Sequence, residues 1–213
     1  MPTLNHFKYE TKRNNLFLRV VRGHFATSNA HSNYYIDVVA QKSRLSEAQA
    51  VADELSAYYF HSTVVDTILC LDGTEVIGAC LAQKLSSADV INMNAHKSIY
   101  VVTPESINTS QLLFRENIIP MIAGKHVLIL AVSVSTGRTV QAAIEAVRYY
   151  GGEVSGVASI FATTDACGGY PVKSVFNPND LPDYATYAPG ECPLCKQGQK
   201  LDALINCYGY SKL

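Results

Sequence analysis

The chain has 213 residues, a formal net charge of -1 and a pI near 6.6, with 48% hydrophobic and 16% charged residues. That balance fits one large domain, or one domain with a small appendage, with a substantial core, and argues against disorder. No basic face for nucleic acid is expected, no apolar run is long enough for a membrane helix, and Met-Pro-Thr-Leu-Asn-His-Phe-Lys holds no signal-peptide core, so a cytoplasmic protein with six reduced cysteines is expected.

Residues 12–22 are predicted to form a first helix, with Leu16, Phe17, Val20 and Val21 on its apolar face. A short strand is expected over 34–39. Ser46-Glu-Ala-Gln49 has the capping-box pattern, Ser followed three residues later by Gln. The helix it starts is predicted to reach Tyr59, with Ala48, Val51, Ala52, Leu55 and Tyr59 facing the core. A β-branched strand over 64–69 precedes a helix over 75–85. Short strands are expected over 90–92 and 98–102. The apolar run 127–132 reads as a buried parallel strand, and the helix after it carries Val140, Ala143, Ile144 and Val147 on one face. Gly151-Gly152 stops that helix, and a strand over 154–160 completes the central set. From Thr163 onward Gly, Pro, Asp, Asn and Tyr predict irregular structure with one strand over 172–175. Strands alternating with helices imply βαβ units, so the expected fold class is α/β with a mostly parallel sheet. Ligands on such sheets bind at the carboxyl ends of strands. The expected organisation is one domain: an early segment 1–45, a core 46–162 and a C-terminal part 163–213.

Four signals bear on chemistry. The turn Ser135-Thr136-Gly137-Arg138-Thr139 lies between the 127–132 strand and its helix. Strand, Gly-containing turn and helix start aim several backbone N–H groups at one spot and add the positive end of a helix dipole, which suits a phosphate. The plainer reading is an ordinary connection with a Thr cap. Arg138 either adds charge to a bound phosphate or is simply solvated. Asp72 and Glu75 form either a Mg²⁺- or hydroxyl-binding pair at a strand end, or a turn Asp and a first-turn Glu complementing the dipole. Cys192-Pro-Leu-Cys195 is half a zinc site, which Cys207 and Cys167 complete as Cys₄, or else these are plain thiols. Tyr34 and Tyr35 either stack on a flat ligand or pack in the core.

The turn and its lead-in Gly124-Lys-His-Val-Leu-Ile-Leu130 resemble the phosphoribosyl-diphosphate (PRPP) motif of type I phosphoribosyltransferases. The resemblance narrows to the orotate branch through His31-Ser-Asn-Tyr-Tyr-Ile-Asp37, which looks like that branch's early "SPYYID" segment. It continues through 65–79, which matches the first core strand and pyrophosphate loop, and through 145–160, which matches the helix and next strand. It implies an α/β phosphoribosyltransferase fold with a small hood, a homodimer, and a reaction joining PRPP and a base into a nucleoside monophosphate. It places the 5-phosphate on Ser135, Thr136, Gly137, Arg138 and Thr139. The two acidic positions that hold the ribose hydroxyls fall on Ala131 and Val132. The family's loop with its catalytic Arg-Lys pair falls on 103–117, which has no Lys and one Arg, Arg115. The orotate-contacting Lys falls near Thr27 or Ser28. Asp37 reads as structural.

Two functional readings follow. In the first, a protein of nucleotide metabolism keeps the phosphate loop, lacks the transfer groups, and binds a small phosphorylated ligand or nucleotide. In the second, an active phosphoribosyltransferase uses Mg²⁺, with Asp72, Glu75 and Arg115 substituting for the missing groups. A third, purely structural reading is a dimer with a Zn²⁺-stapled tail.

Overall fold

The structure, a computed structural model, describes residues 6–10, 16–87, 92–95, 98–108 and 111–213. The strands are β1 (His6–Glu10), β2 (Phe17–Ala26), β3 (His31–Asp37), β4 (Thr67–Cys70), β5 (Tyr100–Val102), β6 (Glu105–Asn108), β7 (Gln111–Leu113), β8 (His126–Val134), β9 (Glu153–Ala162), β10 (Ala166–Cys167), β11 (Tyr170–Phe176), β12 (Thr186–Tyr187), β13 (Ala203–Asn206) and β14 (Gly209–Lys212). The helices are α1 (Val39–Ser43), α2 (Leu45–Tyr59), α3 (Glu75–Leu85), α4 (Arg138–Tyr149) and α5 (Pro193–Lys196). The chain divides into two compact units, Gln41–Phe176 and a smaller one made of Met1–Ala40 with Asn177–Leu213. No helix among the described residues is long and apolar enough to cross a membrane.

The larger unit is α/β. Its sheet runs β10-β11-β9-β8-β4-β5, parallel throughout except for the edge strand β10. β4 is buried at every position and β8 from Val127 to Val132. Such unbroken apolar runs are what a parallel strand covered on both faces requires. α4 buries Val140, Ala143, Ile144 and Val147, the face its 3.6-residue period prescribes, into a cluster with Leu69, Ile129 and Val157. Each buried valine or isoleucine of this face contributes roughly 1.5–3 kcal/mol. α2 buries Ala48, Val51, Ala52, Leu55 and Tyr59, and the Tyr59 hydroxyl donates to the Val157 carbonyl at 2.9 Å. β6 and β7 form a separate hairpin.

In the smaller unit β2 is central. It pairs with β3 and β1 antiparallel and with β13 in parallel, and β12 and β14 lie at the edges. One cluster of its core is Val21, Phe25, Tyr35 and Ala203, with Ile205 against it.

Several expectations are corrected. The helix predicted over 12–22 is the strand β2 from Phe17 onward, and residues 12–15 lie outside the described ones. Leu18 and Val20 point to one face while Val21 joins Phe25 on the other. Covered on both faces, the strand shows apolar doublets that mimic a helical stripe. The Ser46 capping box does not form: Arg44 takes the N-cap position with no side-chain bond, because α2 begins two residues earlier than a Ser46 cap would start it. The 64–69 strand starts at Thr67. Of the strand predicted over 90–92, residues 90 and 91 lie outside the described ones and Asn92 is not in a strand. Beyond Thr163 the chain is less irregular than its composition implies. β11 joins the central sheet alongside β9, and β12, β13 and β14 join the smaller unit's sheet.

The end of α4 gives a stability test. Gly151 has φ +78° and open space where a Cβ would stand, whereas a Cβ on Gly152 would come within 2.8 Å of the Ile122 carbonyl oxygen and 2.9 Å of Val147 Cγ1. Gly152→Ala is therefore expected to lower the unfolding free energy by roughly 1–3 kcal/mol through overpacking. Gly151→Asn, which tolerates the left-handed region, is expected to cost less than about 1 kcal/mol. Urea unfolding of both variants checks the order, and the reverse order would refute it.

Candidate functional site

β8 ends at Val134, and the next three residues turn the chain into α4. Gly137 is the N-cap residue, with φ +73° and ψ 0°, a left-handed conformation that a side chain resists. No side chain caps this helix. The first turn of α4 therefore presents the positive end of the helix dipole at the 135–137 turn. Ser135, Thr136, Arg138 and Thr139 are all exposed beside it.

The turn is held from behind. The Thr163 N–H donates to the Val134 carbonyl at 2.9 Å, and its hydroxyl donates to the Ser135 carbonyl at 3.2 Å. The Cys167 thiol donates to the Gly137 carbonyl at 3.5 Å. Burial pushes the Cys167 thiol up, so it stays neutral and adds no negative charge against an anion. Cys167 thus serves the 135–139 turn. Nothing in the sequence marked Thr163 or Cys167 for that place.

Ala131 and Val132 sit one turn of strand earlier. Both are buried, Ala131 inside the apolar cluster under α4. Neither offers an oxygen to a sugar hydroxyl.

The loop after β4 carries Asp72 and Glu75. Asp72 adopts φ +57°, uncommon outside glycine, and Gly73 follows at φ +80°. Lys42 of α1 donates to the Asp72 carbonyl at 2.8 Å, a cation at this turn that the sequence reading missed. Glu75 opens α3, and its Oε1 accepts from the Thr103 hydroxyl at 3.1 Å. The turn therefore mixes one ammonium with two carboxylates.

Arg115 follows the β6–β7 hairpin. Its Nε and guanidinium Nη2 donate to Glu105 Oε2 at 3.0 and 2.5 Å. That bond holds the Glu105 carboxyl below its ordinary range, so the pair persists until the solution is more acidic than a free carboxylate requires. Leu112 of the hairpin packs against the core cluster, and Phe114 meets Tyr150 edge to face at 5.2 Å.

In the smaller unit Tyr34 and Tyr35 are core residues. The Tyr34 hydroxyl donates to the Pro182 carbonyl at 2.8 Å, and Tyr35 packs on Phe25 and Tyr210. Asp37 Oδ1 accepts from the Val39 N–H, and Thr27 closes a turn with Ala30. The Cys192–Cys195 pair meets His24 and His31, with one donor atom from each of the four residues lying within 4.8 Å of the others. Cys207, at the β13–β14 turn, and Cys167 are not in this group, so the Cys₄ set expected from spacing is replaced by Cys₂His₂. No disulfide occupies any of the six cysteines. The histidines escaped notice because the predicted helix stopped short of His24. Read as a hairpin, a His on each strand and a distant Cys-x-x-Cys would have been the signal.

No protein-family model matches the chain. An orotate phosphoribosyltransferase of Chlorobaculum parvum is 28% identical over 184 residues, covering 85% of this chain and 86% of that one. Another, of Caldicellulosiruptor saccharolyticus, is 29% identical over 185 residues, covering 84% and 86%. The orotate phosphoribosyltransferase structure from Aeropyrum pernix is 20% identical with a TM-score of 0.51 over 85% of this chain and 93% of that one, a likeness of fold. Relatives of this name spanning most of the length, together with the shared fold, support an orotate phosphoribosyltransferase-like chain of type I phosphoribosyltransferase fold.

Proposed function

We propose that this protein binds a phosphorylated ligand of the nucleotide class on the 135–139 turn and does not transfer a phosphoribosyl group to orotate. One observation carries the reading: β8 delivers an open, left-handed-glycine helix start, yet the two residues that should grip the ribose are buried Ala131 and Val132. A hydrogen bond to a charged group contributes about 1.5–3 kcal/mol. Losing two weakens sugar binding by roughly a hundredfold to ten-thousandfold. The phosphate contacts do not depend on those residues, because backbone N–H groups and the hydroxyls of Ser135, Thr136 and Thr139 make them.

The groups for pyrophosphate departure are also short. Removing a cation that meets developing charge costs about 10²–10³ in rate. Here the cation of the β6–β7 segment, Arg115, is bound to Glu105. Mg²⁺ is called for by the diphosphate of PRPP, and the residues fit it poorly. The Glu75 carboxylate already accepts from Thr103, and the Asp72 turn takes the ammonium of Lys42. The alternative, an active transferase, draws support from the relatives' names and from Lys42, a cation on the pyrophosphate-loop turn.

Thermal-shift titration separates the two. Ribose 5-phosphate and orotidine monophosphate are expected to raise Tm by roughly 5–10 °C at a hundred times their dissociation constants, with or without Mg²⁺. PRPP is expected to add no Mg²⁺-dependent rise and to release no pyrophosphate with orotate. A Mg²⁺-dependent rise with pyrophosphate release would establish the transferase instead.

A paired substitution tests the turn itself. A Cβ on Gly137 would stand 2.8 Å from Cys167 Sγ, in addition to the strain of its positive φ. Gly137→Ala is expected to cost roughly 1–3 kcal/mol and to abolish the phosphate-induced shift. Adding Cys167→Ala should recover the clash but not the strain. Full recovery of stability would show that the left-handed conformation is dispensable.

A further inference from the structure

We infer that His24, His31, Cys192 and Cys195 bind one zinc ion in a closed structural site that fastens the C-terminal segment to the β2–β3 hairpin. The distances fit a tetrahedron before any metal is placed. With Zn–N and Zn–S bonds of about 2.05 and 2.3 Å, tetrahedral edges are about 3.4 Å for N···N and about 3.6 Å for N···S. His24 Nε2 lies 3.2 Å from His31 Nδ1, 3.4 Å from Cys192 Sγ and 3.6 Å from Cys195 Sγ. Cys195 Sγ lies 3.3 Å from His31 Nδ1. Four of the six edges are thus within a few tenths of an ångström of the required lengths, and every edge is below 4.8 Å.

The hydrogen-bond arithmetic of His24 points the same way. Its imidazole is fully buried, and Nδ1 faces the Gln199 carbonyl at 3.0 Å. A carbonyl only accepts, so Nδ1 carries the proton and Nε2 is a bare lone pair. That lone pair faces an imidazole nitrogen and two sulfurs at once. One lone pair cannot serve three donors, whereas one cation at the centre satisfies all four groups. The Gln199 carbonyl then acts as the outer partner that orients a metal-bound histidine.

The local chain geometry explains the convergence. His31 stands opposite Ala26 in the β2–β3 ladder, and His24 lies two residues before Ala26 on the same strand. Cys192 is the N-cap of the short helix α5, so one helical turn brings Cys195 back beside it, with the Lys196 N–H on the Cys192 carbonyl at 3.2 Å. The tail is anchored further where the His24 N–H donates to Asp202 Oδ2 at 2.7 Å. Two thiolates and two imidazoles in tetrahedral array suit zinc, and four protein ligands leave no position for water or substrate. Both cysteines bind as thiolates, so each bound zinc releases two thiol protons to solvent.

The 27–30 turn, where the family places its orotate-contacting Lys, lies between the two histidine ligands, so the metal pins both ends of that turn.

The test is metal analysis of the full chain, purified without chelator. About one zinc per chain is expected, and replacement by Co²⁺ should give the intense visible bands of a tetrahedral thiolate–imidazole centre. Cys195→Ser and His31→Ala should lose the metal, while Cys207→Ser and Cys167→Ser should keep it. If a ligand variant fails to fold, the Co²⁺ spectrum of the unaltered chain still decides the coordination. A chain without zinc and without a tetrahedral Co²⁺ spectrum would overturn the site. So would zinc that survives Cys195→Ser but disappears in Cys207→Ser.

Discussion

Both turns of the larger unit are referenced to one strand. β8 is hydrogen-bonded along both edges, to Thr67–Cys70 of β4 and along nearly the whole of β9. The ladder to β4 continues past the strand, since the Leu71 N–H donates to the Leu130 carbonyl at 2.8 Å. The buried Thr74 hydroxyl then faces two carbonyls, Leu71 at 2.9 Å and Leu130 at 3.1 Å, and closes the Asp72 turn onto β8. On the other edge Thr163 does the same for the Ser135 turn through Val134. Parallel strands bring their carboxyl ends to one side, so two turns measured from one strand hold a constant spacing. Little else is needed to keep the two turns in shape.

On the proposed reading, that dependence lets a phosphate turn stand beside positions whose side chains cannot hold a ribose. The phosphate turn is backbone geometry: a helix start, a left-handed glycine, and carbonyls tied from behind. Ala131 and Val132, the positions that the resemblance assigns to the ribose grip, are buried. An ionised carboxylate there needs partners to offset its desolvation, while alanine and valine need none. The present residues therefore pack the end of β8 without polar help, at the cost of the contacts a sugar would use.

The sequence made the larger unit legible where one period dominates. α2, α3 and α4 and the parallel strands between them carry unbroken or 3.6-spaced apolar patterns that a core covered on two faces demands. It was least legible in the smaller unit. β2 is apolar on both faces, so Leu16, Phe17, Val20 and Val21 counted as a helical stripe, and a strand that pairs with β13 nearly 180 residues later leaves no local trace. The same long range hid the metal ligands. Cys192 and Cys195 announce themselves by spacing, but His24 and His31 become partners only once β2 and β3 pair. Lys42 and Thr163 were invisible for a related reason, since each acts through a backbone carbonyl of a distant turn.

The smaller unit also has a stability problem that its composition does not solve. Units below about 70–80 residues seldom gain more than about 3–5 kcal/mol from a single core, and commonly add disulfides or a metal. Here Tyr34, Tyr35 and Phe25 supply much of the buried volume, and the β13–β2 ladder pairs only Ala203 and Leu204. The segment around α5 is short, and none of the cysteines is bridged. What holds this segment are contacts that converge on His24: the Gln199 carbonyl on its ring, the Asp202 carboxylate on its backbone, and the two sulfurs beside its other nitrogen. A residue buried that deeply with so many polar neighbours is costly unless every one of them is satisfied. A cation at the shared centre satisfies them together, and it makes the fold of the C-terminal segment and the position of the 27–30 turn depend on the same ligands.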